Sequence, residues 1–314
     1  MRILAAIIIL MLLLVFVSCD VVVSANNELP EIYAFVHDAD APHVKQMVQG
    51  LKAGAKDLQA DLEIHEINMV DEPDKAVKEF KKANRRSTKA IIIMPFENDE
   101  LYKQLEKARK KGIYLIYLDT VQSYDIPGTY IISDNEKAAK KAGNMLAEAM
   151  GHKGEAVILN TSAEDPKALK LEMGLKEALQ GYPEIKMVNL FYCNGQRENT
   201  KKTLRDILAA HPDIKGVFAA CSETAAAAAE AISEWNGEVQ IVGFNHTYET
   251  LQLINNGQIY GTVSPKFYDM GYEAVKTVVS LISGQDVQER IDLSYAVYTR
   301  EGLYEAKDTE SPLS

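Results

Sequence analysis

The sequence predicts an α/β protein whose core consists of parallel β-sheets. Short apolar runs bounded by turn residues recur along the 314-residue chain, and stretches with helical spacing separate them. This alternation is typical of βαβ crossovers and therefore of parallel sheets. Two of the runs, 113–118 and 130–132, end at acids, Asp119 and Asp134. Because ligands bind beyond the carboxyl ends of such strands, both acids are candidate ligand groups.

The first half of the chain supplies five strands and three helices to this pattern. Val44, Met47 and Leu51 recur at helical spacing behind Pro42, which suits a first helical turn. In chain order, the predicted elements are strand 32–37, helix 43–58, strand 62–68, a helix from Pro73, strand 90–94, a helix from Asp99 to Gly112, and strands 113–118 and 130–132.

The second half repeats the theme, without a Pro- or Ser-rich linker between the halves. Five alanines at 225–229 indicate a helix that approaches its sheet closely. The predicted elements are helix 136–150, strand 156–160, helix 166–181, strand 187–192, helix 198–210, strand 216–220, helix 223–235, strand 239–244, helix 248–255, strand 261–264, helix 267–282 and strand 293–298. Two such halves suggest two domains joined by several strands.

Residues 1–18 are predicted to be a signal peptide. Arg2 gives the positive start, and about fifteen apolar residues follow, fewer than the ~20 that a membrane span needs. Phe16-Val17-Ser18-Cys19 resembles a bacterial lipobox, although Phe16 stands where Leu is usual. We therefore expect lipidation at Cys19 and a lipidated tether over 19–30. The alternative is an uncleaved anchor that continues through 21–23.

Charge and cysteine content limit the partners. The formal net charge of −11 repels nucleic acid and anionic lipid, so membrane attachment is expected only through the lipid. Apart from Cys19, the chain has two cysteines, Cys193 and Cys221. In an exported protein a disulfide bond between them is one interpretation.

Several short sequence motifs occur in an order and at a spacing that resemble those of a known family. They are a strand followed by Pro42, Leu118-Asp119, Ile132-Ser133-Asp134-Asn135, Gly174-Leu175, His211-Pro212-Asp213-Ile214, Val242-Gly243-Phe244 and the glycines Gly257 and Gly261 around Ile259. Over about residues 31–303 the chain resembles the sugar-binding (type I) periplasmic binding proteins, which include the ribose-binding proteins and the effector domains of lactose-repressor-type regulators.

The resemblance implies two Rossmann-like lobes joined by a three-strand hinge, with a ligand held in the cleft by lobe closure. It assigns 31–133 and 266–289 to the N-terminal lobe, 134–265 and 290–304 to the C-terminal lobe, and 305–314 to a tail. It also places strands 187–192 and 216–220 on opposite sides of 156–160. Cys193 and Cys221 would then lie about 10 Å apart, too far for a disulfide.

The same resemblance selects the candidate ligand-binding residues, which are Asp119, Asn245, His43, Phe96, Asp134, Cys221, His37 and Asp38. Asp119 is the clearest match to the family pattern. Leu169, Cys221 and Pro265 fall where relatives often carry Arg, Asn and Gln, and Asn245 falls at a usual Asp, so the usual sugar pose is in doubt. Each candidate has a plainer interpretation: His37 and Asp38 as solvated loop, Phe96 as lobe packing, Asp134 as a helix cap.

The predicted function is an extracytoplasmic solute-binding lipoprotein that holds a small polar ligand, a sugar or sugar-like molecule, and presents it to an ABC permease. The alternative is a ligand-sensing subunit for a histidine kinase or chemoreceptor. No nucleophile–base pair or phosphate loop is present, and the His37–His43 spacing matches no specific metal pattern. We therefore expect no enzyme activity, no metal and no cofactor; a metalloprotein or enzyme using that loop is the third hypothesis.

Overall fold

The computed structural model describes residues 30–67, 72–120, 126–235 and 237–306. The predicted signal peptide, Cys19 and most of the tether and tail lie outside these residues. Within them, no helix is both long enough and apolar enough to cross a membrane.

The first sheet has six strands, all parallel, in the order β11-β5-β4-β3-β1-β2. Its elements are β1 (Glu31–Val36), α1 (Pro42–Asp57), β2 (Asp61–Glu66), α2 (Pro73–Ala83), β3 (Ala90–Ile93), α3 (Asp99–Lys110), β4 (Tyr114–Leu118), β5 (Thr129–Ser133), α9 (Phe267–Ile282) and β11 (Arg290–Leu293). Apolar side chains cover both faces of this sheet, as the near-continuous hydrophobic runs of its strands predict.

The second sheet has the order β12-β10-β9-β8-β6-β7, with only β10 and β12 antiparallel among its described pairs. Its elements are α4 (Asn135–Ala149), β6 (Gly154–Asn160), α5 (Pro166–Leu179), β7 (Ile185–Tyr192), α6 (Arg197–Ala210), β8 (Ile214–Ala219), α7 (Ser222–Ser233), β9 (Gln240–Phe244), α8 (Tyr248–Asn255), β10 (Gly261–Pro265), β12 (Tyr295–Thr299) and α10 (Arg300–Ala306). Two α/β sheets of mostly parallel strands confirm the predicted fold class.

Within the described ranges the chain passes from one sheet to the other at three points: Asp134, Lys266 and Ser294. Helix α9 returns to the first sheet and packs closely on α1, where a Cβ on Gly50 would collide with the carbonyl oxygen of Tyr268.

The final crossing differs from the sequence prediction. The sequence predicts one strand over 293–298, and the resemblance assigns residues 290–304 to the C-terminal lobe. Instead β11 pairs with β5 in the first sheet and β12 pairs with β10 in the second. The sequence pattern does not separate them because one residue, Ser294, lies between two half-buried strands. We accordingly move that boundary to Ser294, and the division into lobes otherwise stays a prediction.

Candidate functional site

A cavity of about 310 Å³ lies at the carboxyl ends of the strands, where the two halves of the chain meet. The first half contributes Phe96 and Asp119, the first crossing contributes Ser133 and Asn135, and α5 of the second half contributes Lys167 and Lys170. Its volume is at the lower end of the range for ligand pockets, about 300–1,000 Å³. The cavity therefore suits a small ligand.

Asp119 occupies the corner where β4 ends. Its backbone has a φ of 62°, in the left-handed region that aspartate tolerates better than most residues. Its N–H donates to the carbonyl oxygen of Ile131, 3.1 Å away, which fixes the corner against β5. Only 7% of its side chain is exposed. The carboxylate is thus held by the backbone at the wall of the cavity, as the sequence predicts.

Lys167, which is not among the candidates that the sequence predicts, is the partner of Asp119. Its Nζ lies 3.3 Å and 3.5 Å from the two carboxylate oxygens of Asp119. The ammonium also lies 5.6 Å from the centre of the Phe267 ring, within range of a cation–π contact. The position of Lys167 is set by Asp165, whose carboxylate caps α5 and accepts the N–H of Lys167 at 2.8 Å.

Leu169, near which the resemblance implies an Arg in relatives, is exposed and does not line the cavity, whereas Lys167, two residues earlier, supplies a cationic donor. One feature of the sequence indicates that Lys167 lies near the ligand-binding end of the sheet. The Asp165-Pro166 helix start puts Lys167 in the first turn, at the sheet end where ligands bind.

His43 and Phe96 have different positions. Phe96 is half-buried, lines the cavity and packs against the core of the first sheet, so it has a packing role, and its role in ligand binding stays a prediction. His43 is not among the lining residues; its ring lies 5.0 Å from that of Phe267, which Lys167 also contacts. Burial lowers the pKa of His43, and the nearby Lys167 ammonium lowers it further.

His37, Asp38 and Asp134 lie outside the cavity lining. His37 Nδ1 lies 3.0 Å from a carboxylate oxygen of its exposed neighbour Asp38. Asp134 caps α4: its carboxylate accepts the N–H of Lys137 at 3.1 Å and pairs with the Lys137 ammonium at 3.0 Å. Burial raises the pKa of Asp134, but the two Lys137 contacts outweigh it and leave the pKa below its ordinary value. The cap interpretation describes what Asp134 does here.

Asn245 occupies a corner after β9, with a φ of 66° and its N–H on the carbonyl oxygen of Val263 at 2.9 Å. Its backbone oxygen accepts the Thr262 hydroxyl at 2.6 Å. Its side-chain Oδ1 is buried and has no hydrogen-bond partner among the described residues, and Asn245 does not line the cavity.

His246 joins the two halves of the chain near this corner. Its Nε2 lies 3.1 Å from Gln46 Nε2 on α1, and its Nδ1 lies 2.9 Å from Ser264 Oγ on β10. The Ser264 hydroxyl donates to the carbonyl oxygen of Pro265, so Nδ1 is the donor to Ser264 and Nε2 accepts from Gln46. That arrangement needs a neutral ring, and burial indeed lowers the pKa of His246 to about 4.

Both described cysteines are free thiols. They follow β7 and β8, which flank β6 as the resemblance implies. Cys221 accepts the N–H of Thr224 at the start of α7 and does not line the cavity. Within the described ranges no group of three or more His, Cys, Asp or Glu side chains is arranged to hold a metal ion.

Comparison with known proteins identifies the family. The family model described as "Periplasmic binding protein domain" matches residues 32–286. The chain belongs to this family. The family resemblance in the sequence is therefore confirmed.

Two curated relatives match most of the chain. A D-apiose import binding protein from Actinobacillus succinogenes is 30% identical over 81% of this chain and 81% of its own length. The ribose import binding protein RbsB of Escherichia coli K12 is 24% identical over 90% of this chain and 95% of its own length. Both are named as binding proteins and not as enzymes, in agreement with the expected absence of enzyme activity.

Solved structures share the fold. AraP, an arabinose binding protein from Geobacillus stearothermophilus, superposes with a TM-score of 0.79 at 20% identity, over 88% of this chain and 99% of that one. An ABC transporter periplasmic solute binding protein from Actinobacillus succinogenes with bound D-allose gives 0.78 at 23% identity, over 89% and 99%.

Proposed function

We propose that this protein is an extracytoplasmic solute-binding lipoprotein that holds a small sugar or sugar-like ligand between two lobes and presents it to an ABC permease. The observation that carries the proposal is the cavity in which Asp119, from the first half of the chain, faces Lys167, from the second. A ligand that lies beside this ion pair contacts both halves, which is the requirement for closure around a ligand.

The chemistry of this pair suits a hydroxyl group. A ligand hydroxyl donates its proton to a carboxylate oxygen of Asp119 and accepts a hydrogen bond from the Lys167 ammonium. Hydrogen bonds to charged groups are the stronger ones, so a few of them suffice for a small polar molecule. Relatives named for ribose, D-apiose and D-allose make pentoses and hexoses the first ligands to test.

The remaining site assignments are proposals of lower rank. Phe96 would cover one face of the ligand, and His43 would act through Phe267. Asn245, Cys221, His37, Asp38 and Asp134 would reach the ligand only after a rearrangement of the cavity, because none of them lines it.

The lipid anchor rests on the lipobox-like segment that ends at Cys19. Exchange of Cys19 for Ser removes the acylated thiol. We expect the wild-type protein in the membrane fraction of the producing bacterium and the variant in the soluble extracytoplasmic fraction. A wild-type protein found only in the soluble fraction contradicts the anchor.

The test of ligand binding is a thermal-shift assay of the purified protein with D-ribose, D-apiose, D-allose and D-arabinose. A ligand at about 100 times its Kd adds about 2.7 kcal/mol to the free energy of unfolding. In a protein with lobes of this size that is a shift of roughly 5–10 °C. No shift with any of the four sugars contradicts the sugar assignment.

A sensing role for a histidine kinase or chemoreceptor is the second candidate, and the replaced family positions favour it. Leu169 is exposed, and Cys221 lies outside the cavity lining. Co-purification from cross-linked membranes distinguishes the roles: a permease in the complex supports transport, and a kinase or receptor supports sensing.

A further inference from the structure

Basic residues are concentrated at one edge of the first sheet. The loop before β3 and the turn before β4, residues 84–89 and 107–111, contain seven cations and no acid, in a chain whose formal net charge is −11. All seven are exposed, and together they form what we call the basic edge: Arg85, Arg86, Lys89, Lys107, Arg109, Lys110 and Lys111.

Hydrogen bonds join the two basic segments to each other and to the start of β1. The N–H of Lys89 donates to the carbonyl oxygen of Glu31 at 2.9 Å, and the carbonyl oxygen of Lys89 accepts the N–H of Tyr114 at 3.0 Å. The Lys111 ammonium donates to the carbonyl oxygen of Asn84 at 2.6 Å. The basic edge therefore lies at the amino ends of the central strands, whereas the cavity lies at their carboxyl ends.

Most of the charge of the basic edge is not neutralised by neighbouring acids. Arg85 pairs with Glu31, and Lys110 lies 3.7 Å from a carboxylate oxygen of Glu106. The other five cations have no carboxylate oxygen within 4.0 Å among the described residues. The basic edge is thus a positive surface on an acidic protein, which favours an anionic partner.

The start of the described chain indicates which anionic partner this surface meets. Pro30 lies at the same edge of the sheet, where its carbonyl oxygen accepts the N–H of Asp61 at 3.2 Å. Ten residues separate Pro30 from Cys19, the proposed site of lipidation. Because a chain spans at most about 3.6 Å per residue, the tether holds Pro30 within about 40 Å of the bilayer. The anchor therefore keeps the basic edge close to lipid headgroups.

We propose that the basic edge binds the anionic phospholipid headgroups of the bilayer to which Cys19 is anchored. This inference rests on the proposed function for the anchor alone, since the headgroup contacts come from described residues. The net charge of the whole chain still repels anionic lipid. The attraction is therefore local and acts within a Debye length of about 10 Å at 0.1 M salt.

The acyl chains supply the attachment, and the headgroup contacts set its orientation. The amino ends of the first sheet face the bilayer, and the cavity at the other end of the strands stays accessible to solutes. Tyr114, at the start of β4, is 40% exposed at this edge, and tyrosine is favoured at the headgroup level of membranes.

The corresponding edge of the second sheet provides the control. There the lysines are mixed with acids, all of them exposed: Lys153, Lys186 and Lys215 with Glu184, Asp213 and Glu238. The edge variant combines Arg86→Gln, Lys107→Gln and Arg109→Gln. The control variant combines Lys153→Gln, Lys186→Gln and Lys215→Gln. Both variants lower the net charge by the same amount, so that a difference between them reports position.

Vesicle co-sedimentation tests the proposal in the Cys19→Ser chain, which has no acylated thiol. The vesicles are either phosphatidylcholine alone or equal parts of phosphatidylcholine and phosphatidylglycerol, at about 0.1 M salt. We expect binding to the anionic vesicles only, and its loss at high salt, where charges are screened. One cation near an anionic bilayer strengthens binding about fivefold, so the edge variant should raise the vesicle Kd about 100-fold.

The control variant should change that Kd less than about threefold, because neighbouring acids already offset its lysines. Both triple variants are expected to keep the melting temperature and the sugar-induced thermal shift of the parent chain. Their six residues are exposed, and none of them lines the cavity.

Three results overturn the inference. The first is equal binding to the two kinds of vesicle. The second is an equal loss of affinity in the edge and control variants, which would assign binding to net charge. The third is complete displacement by millimolar inorganic phosphate at constant ionic strength, which would assign it to a site for a single anion. The sugar-induced thermal shift of the same proteins tests solute binding separately, so that either proposal can fail without the other.

Discussion

Asp119 and Asn245 occupy equivalent corners of the two sheets. Each follows the third strand from the edge formed by β11 or β12, namely β4 in one sheet and β9 in the other. Their φ angles are 62° and 66°, and each N–H donates to the neighbouring strand, at Ile131 and Val263 respectively. The two halves therefore build the same backbone corner, and both corners use the short polar side chains that tolerate it.

The side chains at these corners nevertheless meet different surroundings. The Asp119 carboxylate faces Lys167 and the cavity, whereas Asn245 Oδ1 is buried without a partner among the described residues. The two corners differ in the charge that lies beside them. At Asp119, the start of α5 brings the Lys167 ammonium to the carboxylate, because Asp165 caps that helix. At Asn245, the next residue is His246, whose buried ring is neutral. An equivalent backbone position therefore does not give the side chain an equivalent environment.

Alanine at each corner is the strongest test of this contrast. Asp119→Ala removes two carboxylate oxygens, each of which can accept one ligand hydroxyl; two hydrogen bonds to a charged group are worth about 3–6 kcal/mol, so we expect an affinity loss of about 10²–10⁴-fold. Asn245→Ala is expected to cost less than about tenfold, because Asn245 does not line the cavity. Calorimetric titration with the best-binding sugar measures both losses.

The two alanine variants control for each other, since both place alanine at a positive φ. Equal losses of affinity would mean that Asn245 reaches the ligand after closure, and the contrast between the corners would fail. Unchanged affinity in Asp119→Ala would remove the central residue of the proposed site.

The corner at Asn245 is expected to respond to pH through His246. Its pKa is about 4 in the folded protein, and the ordinary value is 6.5. Between these values the unfolded chain binds a proton that the folded protein does not. The free energy of unfolding therefore falls as the pH is lowered from 6.5 towards 4, by about 3 kcal/mol in all.

Urea unfolding at several pH values measures this loss. Other groups titrate in the same range, among them His43, whose pKa is also lowered. The relevant quantity is therefore the difference from His246→Gln, which cannot titrate. Parallel pH profiles for the two proteins would contradict the buried neutral ring.

Removal of the Lys167 ammonium leaves the Asp119 side chain without its partner, as the Asn245 side-chain oxygen already is among the described residues. In Lys167→Met the Asp119 carboxylate keeps its burial and loses its cation, so we expect the free protein to lose about 1–3 kcal/mol of unfolding free energy. Lys170→Met is the control: Lys170 lines the same cavity but is exposed, and its exchange should stay within about 0.5 kcal/mol. Similar unfolding free energies for the two variants would show that the ion pair adds nothing.

The sequence predicts one corner of the site better than the other side of the cavity. Buried runs ending at acids are local signals, and they locate β4, β5 and Asp119 correctly. Lys167 lies 48 residues further along the chain and in the other half, and the contact depends on how the two halves meet. No local pattern contains that information. For the same reason the sequence could not decide between a cap and a ligand group for Asp134.

A comparison of glycine with alanine at residues 119 and 245 tests whether the two corners have equivalent backbone conformations, and it is the smallest effect that we expect. Glycine adopts a positive φ without strain, whereas alanine there costs roughly 1–2 kcal/mol, partly offset by the greater freedom of glycine in the unfolded chain. We therefore expect Asp119→Gly to be about 0.5–1 kcal/mol more stable than Asp119→Ala, and the same difference between Asn245→Gly and Asn245→Ala. Because each pair lacks the same side chain, the loss of the Lys167 contact cancels at Asp119. Urea unfolding of the four variants gives both differences. A difference at one corner and none at the other would mean that the second backbone relaxes when its side chain is removed, and the shared corner would then be a property of the side chains and not of the sheets.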